Sequence, residues 1–486
     1  RMHLRTRLAP ALSHFALVAA CSEEPTLLSR EALLDPETCA SCHVDHYREW
    51  SGSMHAYAAD DPVFVAMNQR GQRETHGALG DFCVNCHAPM AVREGATRDG
   101  LNLAELPQSL KGVTCYFCHN VESVQGTHNN PLRLANDRVM RGAIADAVEN
   151  EAHASAYSAL LDRGRAASAD LCGACHDIVI DGHAAIERTF SEWKESVFSQ
   201  PGGATCGQCH MERSVEPRPI AAGAKLRRTH GHAMPGVDLA LTPFPELEAQ
   251  RAGVQSLLDG TLQSGLCVTD VGGTSTIEVI LDNVGAGHGF PSGSAQDRRI
   301  WIEVVAYSGE EVVYQSGSVA DGEAVVASED PDLWLLRDCL FDDAGREVHM
   351  FWEARSYESN QLPAQATFDP SDPRFFGSHV AQVYPRQARF LETVPDRVTL
   401  SIHVQPIGLD VLDDLIESGD LDPQYRAAMP TMQINLGQGP VLEWRADTAN
   451  AEKIGPTGFR ASCVSHTNLN FAASTVPAPT RLRCRP

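Results

Sequence analysis

The sequence predicts an α+β, multidomain protein in which a mostly loop and short-helix region is followed by an all-β, sandwich-like domain. Two observations lead to this prediction. The pattern C-x-x-C-H recurs between residues 39 and 210, where glycines and prolines interrupt most helical spacing. From about residue 270, β-branched and aromatic residues alternate with polar ones, which is typical of antiparallel strands.

Composition and charge exclude several classes of protein. The 486 residues are 43% apolar and 21% charged, so the chain can bury a sizeable core. Its formal net charge is −24, and no basic stripe is present that could bind a phosphate backbone. We therefore expect a folded protein that binds no nucleic acid and whose acidic surface favours a basic partner.

Residues 1–20 have the layout of a bacterial export signal, with arginines followed by a short, mostly apolar stretch. The sequence Val-Ala-Ala-Cys at 18–21 resembles the lipobox of bacterial lipoproteins, so we expect Cys21 to carry a lipid anchor. The alternative is an ordinary signal that is cut after Ala20. We expect an exported, periplasmic or cell-surface lipoprotein, with the outer membrane favoured and residues 21–38 as a linker.

The remaining elements follow in chain order. Residues 39–265 form the first domain, with helical spacing at 151–161, 187–198 and 244–260. Residues 266–446 form the β domain, and residues 447–486 a tail without predicted structure. Alternation in the β domain predicts strands at 275–283, 298–307, 310–317, 346–354, 396–407 and 441–446, and a helix at 408–418 interrupts them.

Five copies of C-x-x-C-H are typical of c-type haem attachment, in which two thiols form thioethers and the adjacent histidine ligates the iron. The copies predict five haems c. The attaching cysteines are Cys39 and Cys42, Cys83 and Cys86, Cys115 and Cys118, Cys172 and Cys175, and Cys206 and Cys209. The proximal ligands are His43, His87, His119, His176 and His210.

The sixth ligand decides whether each iron only transfers electrons or can also bind a substrate. After removal of residues 1–20, thirteen histidines lie outside the motifs, whereas methionines are fewer and scattered. Ligation by two histidines is therefore favoured, with mostly negative reduction potentials.

Several phrases resemble bacterial multihaem c-type cytochromes related to the tetrathionate reductase and hydroxylamine oxidoreductase superfamily. They are WSGSMHAYA at 50–58, GVTCYFCH at 112–119, THNNP at 127–131, AHASAYS at 152–158, TFSEWKES at 189–196 and NVGAGHGFPSG at 283–293. The resemblance covers about residues 37–445. It implies an electron-transfer protein whose distal ligands are histidines within these phrases.

The distal ligands that we expect are His55, His128, His153, His232 and His288. His230 stays open as an alternative to His232, and His46, His76 and His183 are substitutes. We interpret His349, His379, His403 and His466 as ordinary sheet or loop residues.

Four cysteines lie outside the motifs and after the signal segment, namely Cys267, Cys339, Cys463 and Cys484. In an exported protein they predict two disulfides with three alternative pairings, or else buried thiols.

The leading hypothesis is a non-catalytic electron-transfer protein with a redox protein or an extracellular acceptor as partner. A second hypothesis is a reductase or oxidase of a small nitrogen or sulfur species at one open haem. A third is a subunit of an extracellular cytochrome filament or complex, formed by self-association.

Overall fold

The computed structural model describes residues 27–180, 185–455, 458–467 and 469–479. It confirms the α+β, multidomain class, because a region of short helices and loops precedes a β-rich region. The predicted export signal, Cys21, His183 and Cys484 lie outside the described residues. Within the described ranges no helix combines the length and apolarity needed to cross a membrane.

Short helices dominate the first domain, and most of those that precede the second motif begin at a local capping signal. Asp61 caps the helix of residues 62–74 by accepting from the Val63 amide, and Pro62 occupies the first turn. The α-helices are Arg30–Leu34 (α1), Pro36–Ala40 (α2), Val44–Ser51 (α3), Met54–Tyr57 (α4), Pro62–Glu74 (α5), Val84–His87 (α6), Pro89–Arg93 (α7), Cys115–His119 (α8), Ala167–Gly173 (α9), Thr189–Glu195 (α10), Cys206–His210 (α11), Leu247–Asp259 (α12), Leu409–Glu417 (α13) and Gln424–Ala428 (α14). Short 3₁₀ turns occur at Leu103–Glu105, Gln108–Leu110, Val197–Ser199, Val325–Ala327 and Phe351–Glu353.

Three of the four predicted helices are confirmed, and one prediction was wrong. Helices α10, α12 and α13 occupy the expected segments. The segment 151–161 instead contains a strand at Ala154–Tyr157, which pairs in parallel with Val139–Gly142. Pairing with a distant segment outweighs the weak helical spacing of this stretch.

The strands of the first domain are short: Val121–Val124 (β1), Leu132–Leu134 (β2), Val139–Gly142 (β3), Ala154–Tyr157 (β4), Ile178–Val179 (β5) and Ala185–Glu187 (β6). Those of the β domain are Leu262–Val271 (β7), Thr274–Asn283 (β8), Arg299–Ser308 (β9), Glu311–Ser316 (β10), Trp334–Leu336 (β11), Asp338–Phe341 (β12), Glu347–Val348 (β13), Ser356–Ser359 (β14), His379–Tyr384 (β15), Arg397–Gln405 (β16), Met432–Gln433 (β17), Val441–Arg445 (β18), Ala451–Ile454 (β19), Arg460–His466 (β20) and Val476–Pro477 (β21).

Two six-stranded sheets form the predicted sandwich. One has the order β19-β20-β7-β8-β15-β21, and the other has β10-β9-β16-β17 with β11 beside β9 and β18 beside β16. Their facing apolar side chains, such as Val279 on β8 and Ile302 on β9, belong to one buried cluster. The alternation of the sequence therefore corresponds to an inner and an outer sheet face.

Two segments differ from the sequence analysis. The segment 346–354 pairs only at β13, because Met350 packs against α5 and α13 and the chain then makes a 3₁₀ turn. The segment 447–486, for which no structure was predicted, contributes β19, β20 and β21 to the sandwich.

The leftover cysteines include disulfide-bonded residues, as predicted. Cys267 on β7 is bonded to Cys463 on β20, across adjacent strands of one sheet. Cys339 is also disulfide-bonded. The first bond attaches the C-terminal segment to the sandwich covalently.

The two domains meet where α5 packs against α13. Val63 and Ala66 share a buried cluster with Leu412 and Leu415. Beside this cluster, Arg70 on α5 donates to Asp414 on α13 at 2.8 Å.

His349 links this interface to a buried ion pair. Its Nε2 lies 3.3 Å from Asp410 and its Nδ1 lies 3.1 Å from Asp414, while the fully buried Arg299 also pairs with Asp410. Burial lowers the pKa of His349, but the two carboxylates outweigh burial and raise this pKa to about 9. His349 is therefore protonated at neutral pH.

We predict that this interface weakens at alkaline pH. The folded pKa of His349 lies above its unfolded value, so its stabilisation is complete below about pH 6.5 and is lost as the pH rises through about 9. The loss should be about 1–3 kcal/mol in the free energy of unfolding, measured by urea titration at pH 7 and pH 10. The variant His349→Gln should lack this part of the pH dependence, and an equal dependence in both proteins would contradict the assignment.

Candidate haem sites

Each motif places two thiols and one imidazole on a single helical turn. The backbone amides of His43, His87 and His176 donate to the carbonyls of Cys39, Cys83 and Cys172, at 2.8, 3.2 and 3.0 Å. The third and fifth motifs form α8 and α11. All ten motif cysteines are free of disulfide bonds. This arrangement fits covalent haem attachment, because both thiols of each motif are available beside a histidine.

Four proximal imidazoles are oriented by backbone carbonyls. The Nδ1 atoms of His43, His87, His119 and His210 lie 3.0, 2.9, 2.6 and 2.7 Å from the carbonyl oxygens of Ile220, Ala58, Arg141 and Pro235, respectively. A hydrogen bond of this kind places the proton on Nδ1 and leaves the lone pair of Nε2 for a metal.

A second histidine faces four of the five motif histidines. The ring centres are 6.2 Å apart for His43 and His153, 6.1 Å for His176 and His55, 6.3 Å for His119 and His232, and 6.4 Å for His210 and His288. A metal–nitrogen bond is about 2 Å and a ring nitrogen lies about 1 Å from the ring centre, so two imidazoles on one metal have centres about 6 Å apart. These four pairs therefore fit an iron between them.

Backbone carbonyls orient two of the facing imidazoles in the same way as they orient the proximal ones. The Nδ1 of His153 lies 3.1 Å from the Ala154 carbonyl, and that of His288 lies 2.8 Å from the Gly289 carbonyl. Their Nε2 atoms are consequently the nitrogens that remain available to a metal.

The loop between β8 and β9 carries His288 from the β domain to the fifth motif. The buried Asn283 side chain donates to the His288 carbonyl at 2.8 Å. Glu192 on α10 accepts from the amide of Gly289 and the hydroxyl of Ser292, at 3.1 and 2.6 Å. A Cβ at Gly285 would collide with the Gly260 carbonyl, so glycine is required at this close approach.

Burial keeps three of the paired imidazoles neutral. Together with a smaller effect of neighbouring histidines, it lowers the pKa of His55, His176 and His288 to about 4 each. A neutral imidazole offers the lone pair that iron requires.

His232, rather than His230, faces a motif histidine. The His230 ring stacks on His232 with the centres 5.6 Å apart, and the His46 ring meets His232 edge-on at 4.6 Å. These two histidines therefore pack around His232 on the side of the third motif.

The structure does not pair His128 with a motif histidine among the described residues. Its Nδ1 lies 3.0 Å from the Thr127 hydroxyl. The next two residues, Asn129 and Asn130, contact the second and fourth motifs instead. No spacing signal in the sequence marks these two asparagines as residues that contact the motifs.

The second motif has different surroundings. In the described part of the chain, the aromatic ring in contact with His87 is that of Phe64 on α5, parallel to it with the centres 3.8 Å apart. Phe64 also packs in a buried cluster with Val84 of the same motif. The sequence analysis missed Phe64 because its contact with His87 depends on the packing of α5.

Cysteine contacts join the motifs into one continuous group. Cys39 lies within hydrogen-bonding distance of Cys115, Cys86 of Cys175, and Cys172 of Cys206. Cys118 is also close to Cys172 and Cys175. The first motif is therefore next to the third, the third is next to the fourth, and the fourth is next to both the second and the fifth.

Known proteins resemble this chain in sequence and in fold. The sequence model of the cytochrome c554 and c-prime family matches residues 38–120. A solved structure of a penta-heme cytochrome c552 from Thermochromatium tepidum is similar, with a TM-score of 0.57 and 17% identity over 84% of this chain and 98% of that chain. No curated protein matches the sequence.

We predict that His288→Ala creates one additional high-spin haem while all haems stay attached. The cysteines that hold the cofactor are unchanged, but the ring that faces His210 at 6.4 Å is removed. Electron paramagnetic resonance of the oxidised protein measures the change, and the mass of the intact protein gives the haem count. His466→Ala on β20 is the matched control. An unchanged low-spin spectrum would show that His288 is only a loop residue.

Proposed function

We propose that this multihaem c-type cytochrome holds five covalent haems c and transfers electrons along them. The five motifs, the family match and the similar solved structure support haem attachment and electron transfer. The observation that carries the proposal is the set of four histidine pairs with ring centres 6.1–6.4 Å apart. A metal that has two protein ligands on opposite sides is suited to electron transfer, since no position is open to a substrate.

The residues have separate roles in this function. The motif cysteines hold each cofactor covalently, and the histidine pairs His43–His153, His176–His55, His119–His232 and His210–His288 ligate the irons. Bound haem supplies an iron that accepts and releases single electrons. The backbone carbonyls that accept from Nδ1 keep the imidazoles in one orientation in both oxidation states of the iron. This limits the structural rearrangement of the ligands when an electron is gained or lost.

The order of the motifs supports a path from the first motif through the third and fourth to the fifth. Among the ten motif cysteines, Cys42 and Cys209 are the exposed ones, and they belong to the first and fifth motifs. We therefore place the entry and exit of electrons at these two ends. The helices α1 and α2, which lead into the first motif, expose Glu31 and Glu37, and this favours a basic redox partner at this end.

We also propose that the protein is exported and attached to a membrane surface through Cys21. The support is the apolar stretch that ends in Val-Ala-Ala-Cys at 18–21. An extracellular acceptor and end-to-end self-association are the other partners that two exposed ends would serve.

The anchor predicts that Cys21→Ser releases the holoprotein from membranes. One acyl chain binds a bilayer weakly and several bind it stably, so loss of the acylated residue should move the protein to the soluble fraction. Fractionation of cells with immunoblotting measures this, and Cys42→Ser is a control that should lose a thioether bond but stay on the membrane. A wild-type protein that is fully soluble with an unmodified Cys21 would contradict the anchor.

A second candidate function is a reductase or oxidase of a small nitrogen or sulfur species at the second motif. The observation that favours it is that, among the described residues, no second imidazole faces His87 as one faces each of the other four motif histidines. A metal held by His87 without a facing histidine would have a position open to a small ligand.

We predict that the oxidised wild-type protein has five haems, of which four are low-spin and one is high-spin. Mass spectrometry of the intact protein gives the number of haems, and electron paramagnetic resonance gives their spin states. The reduced protein should bind one equivalent of carbon monoxide at the open position. Fewer than five haems would contradict the first proposal, and five low-spin haems would contradict the second candidate function.

A further inference from the structure

The turn between β1 and β2 has an unusual backbone. Asn129 and Asn130 have φ angles of 59° and 55°, so two successive non-glycine residues are in the left-handed region. Asparagine tolerates this region better than most residues, yet two in succession still cost conformational energy. Contacts with the surrounding structure must hold the turn in this form.

One set of these contacts reaches the fourth motif. The Asn130 amide donates to the Ala174 carbonyl at 2.7 Å, and the Asn129 amide donates to the Asp177 carbonyl at 3.2 Å. The Asn129 side chain also exchanges two hydrogen bonds with the Val179 backbone, at 2.5 and 3.0 Å.

A second set reaches the second motif. The Asn130 side chain donates to the Asn85 carbonyl, and the Asn85 side chain donates to the Asn129 carbonyl at 3.4 Å. Asn130 is only 5% exposed, so these hydrogen bonds are largely shielded from water. The turn therefore joins two motifs whose cysteines Cys86 and Cys175 are already in contact.

Arg93 adds a positive charge at the same place. It donates to the Asn130 side-chain oxygen at 3.2 Å, and its guanidinium lies 5.3 Å from the centre of the Phe117 ring in the third motif. It also lies near both Cys86 and Cys175. Burial lowers its pKa, but an arginine remains protonated. Within the described residues, Arg93 forms no ion pair with a carboxylate. Its positive charge therefore lies beside the second and fourth motifs without a close carboxylate to offset it.

We propose that Asn129, Asn130 and Arg93 are positioning residues that set the distance between the haems of the second and fourth motifs and raise their reduction potentials. This inference rests on the proposed function, since it requires haems at both motifs. The turn fixes the separation of the two attachment segments through hydrogen bonds on both sides. The nearby positive charge favours the reduced state, which carries one electron more than the oxidised state. Electrons therefore reside preferentially on the haems of the second and fourth motifs.

The experiment compares two variants with two matched controls in the full holoprotein. Asn130→Gly removes the side-chain contacts but permits the positive φ, and Arg93→Gln removes the charge. Asn136→Gly is the first control, because Asn136 also has a positive φ of 54° but is exposed and contacts neither motif. Arg30→Gln is the second control, because Arg30 also lies over a ring of the third motif, Tyr116, but is paired with Glu94.

Spectroelectrochemical titration should show a shift of one or two haems to lower potential in Arg93→Gln, with the other haems unchanged. Arg93→Lys should restore most of the wild-type potential, since it retains the charge. Asn130→Gly should change the exciton signal of the Soret band in circular dichroism, which reports the relative geometry of neighbouring haems. Neither control should show these changes.

Two kinds of failure are distinguishable. Unchanged titration curves and dichroism in variants that retain the wild-type number of haems would overturn the positioning role. A wild-type protein that lacks haem at the second or fourth motif, or takes up no electrons, would overturn the proposed function itself. If Asn130→Gly fails to mature, Arg93→Gln still tests the charge with both asparagines of the turn in place.

Discussion

The arrangement of the first domain depends on imidazoles that meet in pairs. Each pair joins a motif to a segment far away in sequence, as His43 and His153 or His119 and His232 do. The intervening chain contains short helices and strands of two to four residues, which alone bury little apolar surface. Covalently attached haem held between such imidazole pairs would provide the cross-links that this loop-rich domain needs.

An imidazole pair also connects the β domain to the motifs of the first domain. His288 leaves the loop between β8 and β9 and faces His210, while Glu192 of the first domain holds the neighbouring Gly289 amide. Packing of α5 against α13 provides a second contact between the domains. A sandwich that supplies one facing histidine and packs against α5 is coupled mechanically to the fifth motif and to the helix that carries Phe64.

The surroundings of the second motif differ from those of the other four. The His87 ring stacks on the Phe64 ring, whereas each of the other motif histidines faces an imidazole. The two asparagines after His128 and the half-buried Arg93 adjoin this motif on its border with the fourth. The five motifs therefore have two kinds of surroundings, four with a facing imidazole and one without a facing imidazole among the described residues.

Local spacing determined the features that need only neighbouring residues. The five motifs each form one turn whatever their surroundings, and alternation along β8, β9 and β16 specifies an inner and an outer sheet face. Helices α10, α12 and α13 follow from their own apolar spacing for the same reason. The division into a loop-rich domain and a sandwich was therefore predictable from the sequence.

Only the tertiary structure decided which distant groups meet. It selected His232 over His230 beside His119, placed Phe64 at His87, and left His128 beside Thr127. It also turned the segment 151–161 into a strand and added the C-terminal segment to a sheet, where Cys463 meets Cys267. These outcomes depend on the relative placement of segments that are many residues apart, and no local pattern encodes the free energy of such a contact.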